Sequence, residues 1–94
     1  MNTWDERKRR ANIKDHGIDF ADLEGFFDGY LLTREDKRRA YGEDRYQSIG
    51  VFNGVPLIVV WTPRGEEDDI AHLISARKAT NHEHKAWLAR FAKH

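Results

Sequence analysis

The spacing of apolar and polar positions changes twice along the chain. From Thr3 to Gly17 the sequence is almost wholly polar, with Trp4, Ala11 and Ile13 as the apolar points. Thr3 and Glu6 read as a T-x-x-E capping box, which predicts a helix starting at about Trp4, and Gly17 as the C′ residue that ends it near His16. At 100° per residue Trp4 and Ala11 share a face while Ile13 lies opposite. Such a helix buries little of itself; it rides on a domain edge or turns its polar face toward a ligand. Asp19 can cap a second helix, along which Phe20, Leu23 and Phe27 recur at helical spacing until Gly29.

"YLLT" (30–33) predicts a short strand and "REDKRRAYGED" (34–44) a charged loop. The period then shortens to two. "RYQSIGVF" and "VPLIVVWT" flank Asn53-Gly54, a hairpin signal. In the second arm Val55, Leu57, Val59 and Trp61 alternate with Pro56, Ile58, Val60 and Thr62. Both faces are mainly apolar, so this strand is central and covered on both sides. "PRGEED" predicts a turn, "DIAHLISAR" (69–77) the fourth strand, and Thr80 with Glu83 a capping box that opens a last helix through Trp87, Leu88 and Phe91. The order is ααββββα, an antiparallel sheet with flanking helices, in one small α+β domain over residues 1–94.

Composition narrows the class. There is no cysteine, hence no disulfide and no thiolate metal site. No apolar run reaches membrane length and the N-terminus has no signal-peptide pattern, which points to a soluble cytoplasmic protein with no membrane partner. Sixteen bases balance sixteen acids, so net charge alone selects neither nucleic acid nor membrane. The charges are nevertheless segregated: Arg7, Lys8, Arg9, Arg10 and Lys14, then Asp19, Asp22, Glu24 and Asp28, then Arg34, Lys37, Arg38 and Arg39, then an acidic run from Glu66 to Asp69.

Candidate chemistry is limited. His82 and His84, two apart on a helix, point about 200° apart, and His94 is the last residue, so a metal site is not expected. No phosphate-cradling glycine loop, nucleophile elbow or dinucleotide fingerprint is present, and no cofactor is implied. What remains is a polar set near the sheet ends: Lys8, His16, Arg64, His72, Arg77 and Glu83. Arg77 and Glu83 would be a structural ion pair on the plainest reading, Arg64 a turn residue and the first-helix bases a solvated face.

Three stretches give this set a more specific meaning. They are Trp4, Asp5, Lys8 and Asn12 followed by Lys14, His16, Gly17, Ile18 and Phe20; then Trp61, Thr62, Arg64 and Gly65; then Ile74 to Arg77, Ala79, Thr80 and Glu83. Together they resemble the BrnT family of type II toxins, small ribonucleases with a RelE-like fold, in order and over nearly the whole chain. The resemblance implies RNA cleavage that arrests growth. It also implies a cognate ribbon-helix-helix antitoxin, BrnA-like, through which alone operator DNA is bound. Trp61 stands where the family more often has tyrosine or phenylalanine, the turn after Arg64 is longer and acidic, and His72 takes the place of a common arginine.

Metal-independent RNA cleavage by the 2′-hydroxyl needs a base, cations for the pentacoordinate phosphorus and an acid for the leaving oxygen. Arg77 and Arg64 suit the cationic role, since guanidinium grips phosphate bidentately. Lys8 suits charge stabilisation or proton transfer, and Glu83 or His16 the base, histidine being the easier because it titrates at about 6.5 when unperturbed. Arg7, Arg10, Lys14, Trp61 and His72 are the expected RNA contacts. Two other readings fit the neutral chain: a catalytically inactive partner-binding module of such an operon, or a ribosome-dependent mRNA endonuclease.

Overall fold

The computed structural model describes residues 1–92. Its elements are β1 (Asn2–Trp4), α1 (Glu6–His16), 3₁₀ turns at Phe20–Leu23 and Phe26–Asp28, β2 (Leu32–Glu35), β3 (Tyr46–Phe52), β4 (Val55–Arg64), β5 (Ile70–Lys78) and α2 (Asn81–Phe91). The five strands form one sheet in the order β1-β5-β4-β3-β2, so β4 is central as its two apolar faces predict. β2 to β5 pair antiparallel. Asn53 and Gly54 turn the β3–β4 hairpin with φ of 51° and 78°, the two positive values of a type I′ turn.

Three local expectations are corrected. The chain opens with a strand: β1 pairs parallel to β5, with Thr3 opposite His72, which makes the sheet mixed. Three residues are too few to carry a period-two signal. The cap of α1 is therefore Asp5, whose carboxylate accepts from the amides of Arg7 at 2.8 Å and Lys8 at 3.4 Å, and not Thr3, whose hydroxyl meets His72 instead. Gly17 ends the helix as expected, in the left-handed region at φ 71°. The expected second helix is two 3₁₀ turns. Asp19 caps the first through the Ala21 amide, but Gly25, at φ 88°, breaks the chain direction and turns Phe26 rather than Phe27 fully inward.

These turns cover one face of the sheet. Phe20, Leu23 and Phe26 pack with Leu57 and Val59 of β4 and Leu73 and Ala76 of β5. Polar groups within this layer are paired: the Ser48 hydroxyl, fully buried, meets Thr33 Oγ1 at 2.8 Å and accepts from the Trp61 indole at 2.9 Å. On the other face α2 packs against β3, and its Thr80–Glu83 capping box forms as expected.

Helix α1 runs beside β5, where β1 has ended. The buried Asn12 amide donates to the carbonyls of Ala76 and Ile18 and accepts from the Ala76 amide, all at 2.9 Å. It gives the free edge of β5 the bonds that a neighbouring strand would supply. This buried side chain, together with Arg9 gripping Asp19 at 2.8 and 2.9 Å, holds a helix that has almost no apolar stripe, and the face carrying Arg7, Arg10 and Lys14 stays exposed.

Candidate active site

With α2 over β3, the outer face of β4 and β5 is left to polar side chains. Ile58 and Val60 form the floor of a hollow of about 190 Å³ there, with Gln47 of β3 and Ser75 and Arg77 of β5 around it. His16, at the end of α1, and Arg38, from the loop between β2 and β3, complete the rim. The hollow joins residues from strands, a helix and a loop that lie up to 61 positions apart in sequence. Its titratable groups are one histidine and two arginines.

Both arginines are held from behind. Glu83 accepts from Arg77 with its two oxygens, at 2.8 and 2.9 Å, a fork-on-fork geometry. Asp36, its side chain fully buried, accepts from Arg38 at 2.8 and 2.7 Å in the same way. The Arg38 cation disfavours the charge on Arg77, so each carboxylate restrains a guanidinium that faces a like charge. Two guanidinium groups on one hollow, each anchored at its back, are an arrangement whose chemistry suits an anion.

Hydrogen bonding from Arg77, outweighing the effect of burial, pulls the Glu83 carboxyl down to about 2, with a smaller contribution from the Thr80 amide. Both oxygens are committed, and a carboxylate so weakly basic takes up no proton near neutrality. Glu83 holds the Arg77 guanidinium in place by both oxygens.

The other expected residues are distributed differently from the sequence reading. Lys8 lines a neighbouring hollow, which shares Arg38 with the first. Arg64 is opposite Ile70 in the β4–β5 ladder whereas Arg77 is opposite Ile58; seven residues of strand, roughly 23 Å, part the two ends, so these arginines do not clamp one phosphate. Arg64 instead pairs with Glu43 at 3.3 Å. His72 shares the outer face with Thr62 as its partner, and its Nδ1 lies 2.8 Å from Thr3 Oγ1. Burial first, and then the Arg64 cation, push its pKa down. Trp61 lies on the opposite, packed face, against Phe27 and Tyr46, where it cannot share this surface. Arg7, Arg10 and Lys14 are exposed and recur at three- and four-residue spacing, a stripe turned away from Asn12 and outside both hollows.

Sequence reasoning passed over Asp36, Arg38, Arg39, Tyr41 and Arg45, all in or beside the β2–β3 loop. The available signal was the second basic cluster, "KRR" at 37–39, which reads as solvated until the loop is seen folded over the sheet. Among the described residues no three His, Cys, Asp or Glu side chains gather to hold a metal ion. His82 faces a hollow beside Leu32 while His84 lies near Trp87, and His94 lies outside the described residues.

A family model described as "Ribonuclease toxin, BrnT, of type II toxin-antitoxin system" matches residues 4–83. The chain belongs to the BrnT family. The crystal structure of the Brucella abortus ribonuclease toxin BrnT is similar in both sequence and fold: identity is 34%, the TM-score is 0.62, and the match covers 86% of this chain and 99% of that one. No curated protein matches the chain. The BrnT match includes every residue that lines the Arg77 hollow and ends on Glu83, the carboxylate that holds Arg77. Among the described residues no helix is long and apolar enough to cross a membrane.

Proposed function

We propose that this protein is an endoribonuclease toxin that cuts RNA without a metal ion, in the hollow between Arg77, Arg38 and His16. The observation that carries the reading is the pair of back-anchored arginines around a hollow that also holds a histidine, the side chain suited to proton transfer near neutrality. His16 accepts the proton of a 2′-hydroxyl, and the oxygen attacks the adjacent phosphorus. As the O2′–P bond forms, the P–O5′ bond breaks, leaving a 2′,3′-cyclic phosphate and a 5′-hydroxyl whose proton comes from solvent at the open rim. Arg77 and Arg38 stabilise the dianionic pentacoordinate phosphorus, and the Ser75 hydroxyl and Gln47 amide offer further hydrogen bonds.

Membership of a type II toxin family supports a neutralising partner. We take this to be a BrnA-like ribbon-helix-helix antitoxin, with growth arrest in its absence and operator DNA contacted through it alone. Ribosome-dependent cleavage is the competing reading, and activity on naked RNA separates the two.

The test uses one RNA oligonucleotide, with and without a single 2′-deoxy substitution at the cleaved position, in chelator. Cleavage of the all-ribose strand to a cyclic phosphate, and none at the deoxy position, is expected. Cleavage at the deoxy position, or a requirement for divalent metal, overturns the mechanism.

A further inference from the structure

Beside the Arg77 hollow lies a second one, of about 520 Å³, lined by Lys8, Arg38, Arg39, Tyr41 and Arg45. Four cations and one aromatic ring surround it, and no carboxylate does. Lys8 comes from α1 and the others from the loop that leads into β3, so the fold brings two separate basic segments of the sequence to one place. Among the described residues, neither Lys8 nor Arg39 has a carboxylate partner for its side chain. Arg38 is paired with Asp36 and Arg45 with Glu43 at 3.3 Å, so Lys8 and Arg39 are the two charges here that an anion would balance.

The loop is built to hold this arrangement. Buried Asp36 fixes Arg38 by its fork and also accepts from the Arg38 amide at 3.2 Å and the Tyr41 hydroxyl at 3.3 Å. Tyr41 in turn carries the Arg45 guanidinium over its ring at 3.9 Å, with Arg39 at 5.9 Å. The Asp36 amide donates to the Arg45 carbonyl at 2.7 Å, which closes the loop at its base. One buried carboxylate therefore sets Arg38 directly and Arg45 through Tyr41.

Arg38 lines both hollows, so the two adjoin at its side chain. We infer that the Lys8, Arg39, Arg45 hollow is a second phosphate subsite, which grips the backbone of a single RNA strand next to the phosphate cut at Arg77. The inference rests on the ribonuclease reading for its substrate, while the subsite itself binds backbone and takes no part in bond breaking. Its cations are point charges and stacked guanidinium groups on an open surface, without the fixed donor pattern that would read a base. It therefore raises affinity for longer strands regardless of sequence, and it explains how a chain without net charge holds a polyanion.

Two measurements test it, with Arg39→Gln/Arg45→Gln and the charge-keeping Arg39→Lys/Arg45→Lys as the variants. The first is binding of a fluorescent all-deoxy octanucleotide, which has no 2′-hydroxyl and reads the subsite without chemistry. The Gln pair is expected to bind about tenfold or more weakly, and to flatten the slope of log K against log salt by about 0.7 for each phosphate that is no longer neutralised. The Lys pair retains most of the affinity and slope. The second is cleavage of an octaribonucleotide beside a dinucleoside monophosphate, which has a single phosphate. The Gln pair is expected to raise KM on the long strand and leave the short one unchanged. Unchanged binding and unchanged KM overturn the subsite while the ribonuclease reading stands, and leave the hollow to an acidic protein segment. Equal losses on both substrates also overturn it, by placing these arginines in the chemistry. Salt-dependent binding that falls in the Gln pair, with no cleavage by the wild type, supports the subsite and rejects the ribonuclease reading.

Discussion

Glu83 holds Arg77 by both carboxylate oxygens, and one of those oxygens also accepts from the Thr80 amide at 2.8 Å. A single side chain thus caps α2 and aims the arginine that faces the hollow. The two duties separate on substitution. Glu83→Gln keeps an oxygen for the Thr80 amide but loses the charge that restrains Arg77. A fall in kcat of about tenfold is expected, with KM little changed; loss of a preorganised donor altogether brings about 10²–10³-fold, which is the range for Arg77→Ala. Steady-state kinetics of the two variants on one oligonucleotide check this, and equal kcat in Glu83→Gln and wild type would remove the positioning role.

Acid should weaken the fold as pH falls from the ordinary carboxylate range toward about 2. Arg77 lowers the Glu83 carboxyl to about 2, and Arg38 holds that of Asp36 well below the usual range. For a group depressed in the folded state, the stabilisation is complete above its unfolded pKa near 4 and is lost as pH falls through the folded value. The part of the urea midpoint that Asp36→Asn or Glu83→Gln removes is therefore expected to be flat above about pH 5 and to decline from about pH 4 toward 2. Asp36→Asn should lower the midpoint at neutral pH and flatten that decline.

His72 shifts in the sense that keeps it neutral in the fold, since burial leads and Arg64 adds to it. Its proton NMR titration should have a midpoint below about 6.5, the ordinary histidine value. Protonation is therefore easier in the unfolded chain, and the stability that neutral His72 contributes is lost as pH falls below about 6.5. Removing the nearby cation by Arg64→Gln should move the midpoint up.

Asn12 bridges α1 to the β5 edge by two bonds to Ala76 and makes a third to the Ile18 carbonyl. Asn12→Ala leaves the Ala76 amide and carbonyl without partners, at about 1–3 kcal/mol for each buried group. A loss of about 2–4 kcal/mol in chemical denaturation is expected, together with faster amide exchange at Ala76. Full retention of stability would mean that α1 is held by other contacts.

Trp61 distinguishes packing from RNA contact. Trp61→Phe loses the indole bond to Ser48 and part of the ring packing, for which about 1–2 kcal/mol of stability is expected. RNA affinity should be unchanged, because the ring lies on the covered face of the sheet. A drop in affinity without a drop in stability would return Trp61 to the RNA surface.

Much of the fold was legible because it rests on local rules. Asn53-Gly54 dictated a hairpin, the alternation in "VPLIVVWT" a central strand, and Thr80 with Glu83 a helix start, and each stands in the structure. What was hidden depends on long-range pairing. β1 exists only because β5 offers it an edge, and Asn12 looks like any polar helix residue until Ala76, 64 positions away, comes beside it.

The site divides along the same line. The resemblance marked Arg77, Glu83 and His16, which do gather around one hollow, directly or through the Arg77 fork. It also grouped Arg64 with Arg77, although a motif in sequence says nothing of the strand length between its parts. The loop arginines were invisible for a different reason. A run of charges reads as solvated, and only a buried Asp36 converts this one into a fixed array.

The most direct measurement is incubation of purified, partner-free protein with total RNA in EDTA, beside folded Arg77→Ala. Cleavage by the wild type with intact RNA in the variant is the expected result. Intact RNA in both lanes, or equal cleavage in both, would contradict a metal-independent ribonuclease centred on Arg77.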